Sequence, residues 1–256
     1  MDHVTDDQVT EGAAGLGQRM RDQLTTIEED NAAILDTVAA LVYERVLAGG
    51  LVFAGGAGHS LALVCETFYR AGGLACVYPL YEPEVLPLHG ARASTLAERR
   101  FGLAEWVVSQ AGPRQGDLAV IFSNSGINPY PVELATNFRR HGLPVVAVAS
   151  RPSMAGAPPR ASHRLGELAD HVLDTQVPPG DVTHPTRAPR TAALSSLAGV
   201  YLWNLLLARL WDRAEAAGQQ LPVWVSSNIE GGDQWNDALL ERYAGRIPTL
   251  LGSDVG

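Results

Sequence analysis

The sequence predicts an α/β fold built on a mostly parallel sheet. Two observations predict it. Short apolar runs of buried-strand type alternate with longer stretches whose apolar residues recur at helical spacing. Two of the runs lead directly into polar Gly/Ser turns that are followed by helical stretches, the usual form of a strand-to-helix connection in such folds.

Taken in order, residues 1–14 are polar and acidic and are expected as a disordered lead-in, leaving 15–256 as a single domain with an N-terminal helix and a C-terminal extension. From Leu16 to Val46 an apolar stripe (Leu24, Ile27, Ile34, Leu35, Val38, Val42) predicts a long helix ended by Gly49 and Gly50. Leu51–Ala54 reads as a buried strand, followed by Gly55-Gly56-Ala57-Gly58-His59-Ser60 and a helix from Leu61 to about Arg70. Ala75–Tyr78 is the second strand. Residues 79–97 read as a long irregular loop carrying Glu82, Glu84 and His89, and such loops are usually functional. Thr95 then caps a helix from about Leu96 to Gln110. Leu118–Phe122 is a strand, Ser123-Asn124-Ser125-Gly126 its turn, and Asn128 the N-cap of a helix with Pro129 in its first turn. Val145–Ala149 and His171–Asp174 complete the strands. A Pro/Gly-rich loop, 176–190, leads into an apolar helix of about Thr191–Ala217, and a last helix of about Gln234–Ala244 follows a Gly-rich turn, with Asp233 placed to cap it.

Composition narrows the chemistry. With 256 residues and 46% hydrophobic content the chain can bury a substantial core. A net charge of −9 argues against a nucleic-acid partner. No apolar run is long enough to span a membrane, and the polar, acidic start is not a signal peptide. All 19 basic residues are Arg. Without Lys there is no Schiff-base amine and no Walker A lysine. Cys65 and Cys76 show neither metal spacing nor a disulfide framework, so a cytoplasmic location is expected. The seven His lack ligand spacing, and neither a metal nor a cofactor is expected.

The two Gly/Ser turns carry the functional signal. In open parallel sheets ligands bind beyond the C-terminal strand ends. There, helix N-terminal amides and Ser hydroxyls hold anions, and glycine lets the backbone approach them. Gly58, His59 and Ser60 in the first turn, and Ser123, Asn124, Ser125 and the following Asn128 in the second, are candidate phosphate-binding residues. A dinucleotide fingerprint fails because Leu61 stands where its third glycine belongs.

The Gly-x-Gly-x-Ser turn, the later Ser-x-Ser-Gly turn and the strand–helix order around them resemble the SIS (sugar isomerase) domain family over roughly residues 15–217. The Ser94–Arg99 stretch and the tail Ser226–Asp233 resemble a bacterial subgroup known as sugar isomerase domain-containing proteins. The resemblance implies a five-stranded parallel sheet in flavodoxin-like order, a three-layer sandwich. It also implies a sugar phosphate held by Ser60, Ser123 and Ser125, and a homodimer or homotetramer with the helices near 16–47 and 191–217 between subunits. The stripe Leu194, Leu197, Tyr201, Leu205, Leu210 fits such an interface or ordinary core equally.

The family's enzymes mostly remove the C2 proton of an open-chain sugar phosphate, which needs a carboxylate or imidazole base. The candidate catalytic residues are Glu66, Glu98, His89 and Glu82, with Glu84 and His184 behind them. Related enzymes place an acid/base Glu on the helix of Glu66, although further from the Ser; Glu66 also suits an ion pair with Arg70. Glu98 is expected at a helix start, where the dipole favours a carboxylate. Asn228 and Glu230 are expected to close over the sugar hydroxyls of a neighbouring subunit. The expectation is an enzyme acting on a hexosamine or N-acetylhexosamine 6-phosphate. It leads to elimination of the C3 substituent, a dehydratase or lyase reaction, or to aldose–ketose isomerisation. A non-catalytic phosphosugar sensor is the alternative.

Overall fold

The computed structural model describes residues 6–252. Helix α1 (Asp6–Leu47) precedes β1 (Val52–Gly56), α2 (Leu61–Thr67) and β2 (Val77–Leu80). Then come α3 (Ala91–Glu98), α4 (Leu103–Ala111), β3 (Leu118–Phe122), α5 (Pro129–Arg140) and β4 (Val145–Ala149). Short helices α6 (Arg151–Gly156) and α7 (Leu165–Leu168) lead to β5 (His171–Asp174). A small hairpin of β6 (Val182–His184) and β7 (Thr191–Ala193) precedes α8 (Ser195–Ala216) and α9 (Gly232–Tyr243).

Strands β1 to β5 form one sheet in the order β2-β1-β3-β4-β5, every neighbouring pair parallel. All residues of β1, β3 and β4 are buried, as strands covered on both faces must be, which explains their unbroken apolar sequence. Helices α1, α2 and α8 pack on one face, and α4, α5 and α7 on the other. The strand order reverses between β1 and β3, which opens a crevice at their C-terminal ends.

The free edge of β5 is closed by a side chain. Asn31 of α1, almost fully buried, accepts from the Asp174 amide (2.7 Å) and donates to the Asp174 carbonyl (2.9 Å). It supplies the bonds that a further strand would make. At the other end of the sheet, Asp117 is completely buried and accepts from the Leu51 amide (2.8 Å), the Arg114 amide (2.7 Å) and the Arg246 guanidinium (2.7 and 3.2 Å). That pair fastens the C-terminal extension to the start of the sheet.

Several expected boundaries move. The backbone of α1 is helical from Asp6, within the stretch 1–14 expected as a lead-in, while residues 1–5 lie outside the described residues. The single helix expected over 96–110 is two. Gly102 adopts φ +86 between α3 and α4, where its amide donates to the Glu133 carboxylate (2.9 Å). Thr95 therefore lies inside α3, its hydroxyl bonded back to Ala91, and Glu98 ends a helix instead of starting one. Thr191–Ala193 pairs with β6, so the apolar helix starts at Ser195. Its buried face includes Ala198, Leu202 and Leu206, one position beyond Leu197, Tyr201 and Leu205 of the expected stripe, while Leu210 is buried as expected; Leu197 is exposed. Helices α1 and α8 pack against each other within one chain, joined by Tyr201 donating to Glu28 and by Arg209 on Asp36. Gly231, with φ +77, takes the N-cap position of α9, and Asp233 lies in the first turn without a capping bond.

Candidate functional site

The C-terminal ends of β1, β3, β4 and β5 converge on one polar cavity of about 600 Å³, within the range of about 300–1,000 Å³ usual for small-molecule sites. The first turn reaches it because Gly56 leaves no room for a side chain. A Cβ there would stand 3.0 Å from the Ser60 Cβ and 3.1 Å from the Phe122 carbonyl oxygen. The turn folds close under β3 and presents Gly58, His59 and Ser60 to the cavity.

The second turn is held on three sides. The Ser123 amide donates to Val148, and the Ser123 hydroxyl accepts from the Gly126 amide (3.2 Å). The Asn124 carbonyl accepts from Ser150, while its side-chain amide accepts from Thr175 (2.9 Å) and contacts Ser153 (3.4 Å). Gly126 has φ +57, and a Cβ there would lie 2.7 Å from the Met154 sulfur, so the backbone needs glycine. Ser60, Asn124 and Ser125 line the cavity and keep unspent donors. Among the described residues, the Asn124 and Ser125 amides donate to nothing, and the hydroxyls of Ser60 and Ser125 have no partner within the chain. These are the donors that an anion needs. Among the described residues, no Arg lines the cavity.

Two carboxylates line it. Asp181 is occupied: it accepts from the amides of Leu194 and Ser195 and from the Ser195 hydroxyl (2.6 Å), capping α8 from a distant loop. Glu98 has one oxygen, Oε1, bonded to the Asn128 side-chain amide (2.5 Å). Its Oε2 lies beside Gly58, 3.8 Å from where a Cβ on that glycine would stand. Asn128 precedes α5 at the N-cap position but makes no capping bond; its amide is spent on Glu98 and Arg160. It does not line the cavity.

The other candidates lie elsewhere. Glu66 pairs with Arg70 at 2.7 Å on α2, outside the cavity, the alternative that their spacing allowed. Glu82 and Glu84 belong to a separate surface groove, where Glu84 pairs with Arg100 (2.8 Å). His89 is 3.4 Å from the Tyr81 hydroxyl, and His184 sits in β6 with its Nδ1 buried and unpartnered. Asn228 and Glu230 are exposed in the turn before α9, and this chain does not bring them to its own cavity. Among the described residues, no group of three or more His, Cys, Asp or Glu side chains is placed to hold a metal ion.

A protein-family model described as the SIS domain matches residues 17–150, more than half of the chain. The chain belongs to the SIS domain family. Curated relatives match nearly all of it. A UPF0309 protein from Geobacillus sp. (strain WCH70) is 30% identical over 92% of this chain and 97% of its own length. Another, from Brucella canis (strain ATCC 23365 / NCTC 10854 / RM-666), is 33% identical over 89% and 94%. Among solved structures, phosphoheptose isomerase GmhA from Neisseria gonorrhoeae superposes with a TM-score of 0.54 at 18% identity, covering 78% of this chain and 98% of that one. The sugar isomerase domain of an RpiR transcription factor from Sphaerobacter thermophilus gives 0.50 at 15%, covering 91% and 98%. These structures share the SIS fold. Among the described residues, no helix is long and apolar enough to cross a membrane.

The SIS cavity also holds residues that sequence reasoning did not single out: Thr175, Asp181, Ser195 and Ser196. Their signal was present in part. Pro178-Pro179-Gly180-Asp181 follows the end of β5, another strand end of the kind that flagged the two turns. Nothing local shows that Asp181 reaches back to α8.

Proposed function

We propose that this SIS protein is an enzyme that binds a hexosamine or N-acetylhexosamine 6-phosphate and removes its C2 proton. One observation carries the reading: a single cavity joins unspent amides and hydroxyls of two strand-end turns to a carboxylate with one free oxygen. The phosphate takes the Asn124 and Ser125 amides and the Ser60, Ser123 and Ser125 hydroxyls. Glu98 takes the C2 proton at Oε2, and the C–H electron pair passes into a C1–C2 double bond while the C1 oxygen takes up a proton, giving an enol with nitrogen at C2. From there, loss of the C3 substituent with its bonding pair forms a C2–C3 double bond while the C1 carbonyl re-forms, the lyase outcome. Proton return at C1, with loss of an N–H proton from a free C2 amine, gives a C2 imine instead, which water hydrolyses to the ketose and ammonia. Elimination is favoured for an N-acetyl sugar, whose C2 nitrogen offers no ketose.

Incubation of the protein with a panel of sugar 6-phosphates in D₂O, followed by NMR, tests this. Deuterium at C2 is expected, with an unsaturated product, and Glu98→Gln is expected to abolish exchange while binding persists. Binding of every tested sugar phosphate without exchange in the wild type would refute the enzyme and leave the phosphosugar sensor, for which the same cavity suffices. The SIS domain shared with a transcription factor keeps that second reading in view.

A further inference from the structure

Glu98 does not stand alone. Its Oε1 accepts from the Asn128 side-chain Nδ2 (2.5 Å), and the Asn128 Oδ1 accepts from Arg160 Nη1 (2.8 Å). The three residues come from α3, the start of α5 and the loop between α6 and α7, so the tertiary fold alone brings them together. Arg160 is exposed and, among the described residues, makes no ion pair; the Asn128 oxygen is its partner.

The chemistry of this chain of bonds has a direction. An amide side chain can turn its oxygen or its nitrogen towards a neighbour, but a guanidinium only donates. Arg160 therefore fixes the oxygen of Asn128 towards itself and the NH₂ towards Glu98. With that NH₂ on Oε1, the proton-accepting oxygen is Oε2, the one beside Gly58 at the cavity wall. Without Arg160, the amide is free to turn. Its only remaining hold is the bond to Oε1, so it swings on a single anchor and no longer keeps the carboxylate in one place.

We infer that Arg160, acting through Asn128, is a positioning residue that orients Glu98 for proton transfer. The inference rests on the reading of Glu98 as the base. The experiment follows C2 deuterium exchange against the same sugar 6-phosphate panel, together with the ¹⁵N-labelled Asn128 side-chain amide by NMR. Arg160→Gln is expected to lower kcat for exchange by about 10–100-fold, the scale of a small misplacement of a catalytic group, with KM changed by less than about 3-fold. Arg160→Lys, which also only donates, is expected to restore most of the loss. The Asn128 NH₂ signals are expected to shift in both Arg160→Gln and Glu98→Gln. Wild-type kcat in Arg160→Gln, alongside an inactive Glu98→Gln, would overturn the inference and leave the base assignment standing. Exchange surviving in Glu98→Gln would instead overturn the base assignment. Where no sugar on the panel exchanges, the amide signals decide: signals unmoved in Arg160→Gln show that the relay is absent.

Discussion

Arg246→Ala tests what holds the C-terminal extension to the sheet. Asp117 is fully buried, and two of its four bonds come from Arg246. Removing one partner of a buried ion pair costs about 3–5 kcal/mol, because the remaining charge loses its compensation. Two features put this case at the low end. Asp117 keeps the Leu51 and Arg114 amides, and the Arg246 side chain is 25% exposed, so water reaches part of the gap. A loss of about 3 kcal/mol follows, and at about 2–4 °C per kcal/mol for a chain of this size the Tm falls by about 6–12 °C. Differential scanning calorimetry at neutral pH measures it. Arg246→Lys, which cannot reproduce the paired geometry, should recover only part. A Tm within about 2 °C of the wild type in Arg246→Ala would show that the pair contributes nothing beyond what water supplies, and the reasoning would fail.

Other predictions concern the ligand, the sheet edge and pH. Ser125→Ala should weaken sugar-phosphate binding by about 1–3 kcal/mol in titration calorimetry, the loss of one donor to a charged acceptor; unchanged affinity would move the phosphate elsewhere. Asn31→Ala leaves both backbone groups of Asp174 unpaired at the edge of β5 and should cost about 2 kcal/mol or more in urea unfolding, with faster amide exchange at Asp174. Burial pushes the Cys76 thiol up to about 12, whereas Cys65 is exposed. A thiol reagent at pH 8 should modify Cys65 in the folded chain and reach Cys76 only on unfolding. The folded chain holds the Cys76 proton more tightly than the unfolded chain, whose thiol titrates near 9.0. Stability is therefore lost as pH rises from about 9 towards 12, and Cys76→Ser should make that decline shallower. Tyr130 and Tyr243, also raised by burial, keep the decline from vanishing.

The sequence by itself determined the sheet and the strand ends at which the cavity opens. Strands β1, β3 and β4 are covered on both faces, so every residue had to be apolar, and Gly/Ser turns at two strand ends marked the crevice. Tertiary structure decided which carboxylate lines the cavity. Glu98 reaches the cavity because the chain breaks at Gly102 and Asn128 approaches from α5, while Glu66, equally plausible in the sequence, turns to Arg70. It also decided the role of Asp181 at α8, of Asn31 at β5 and of Arg246 under the sheet. The physical reason is range. Apolar periodicity and turn chemistry act between neighbours in the chain, whereas these polar pairs join residues far apart, and only the packed fold selects which of many possible partners meet.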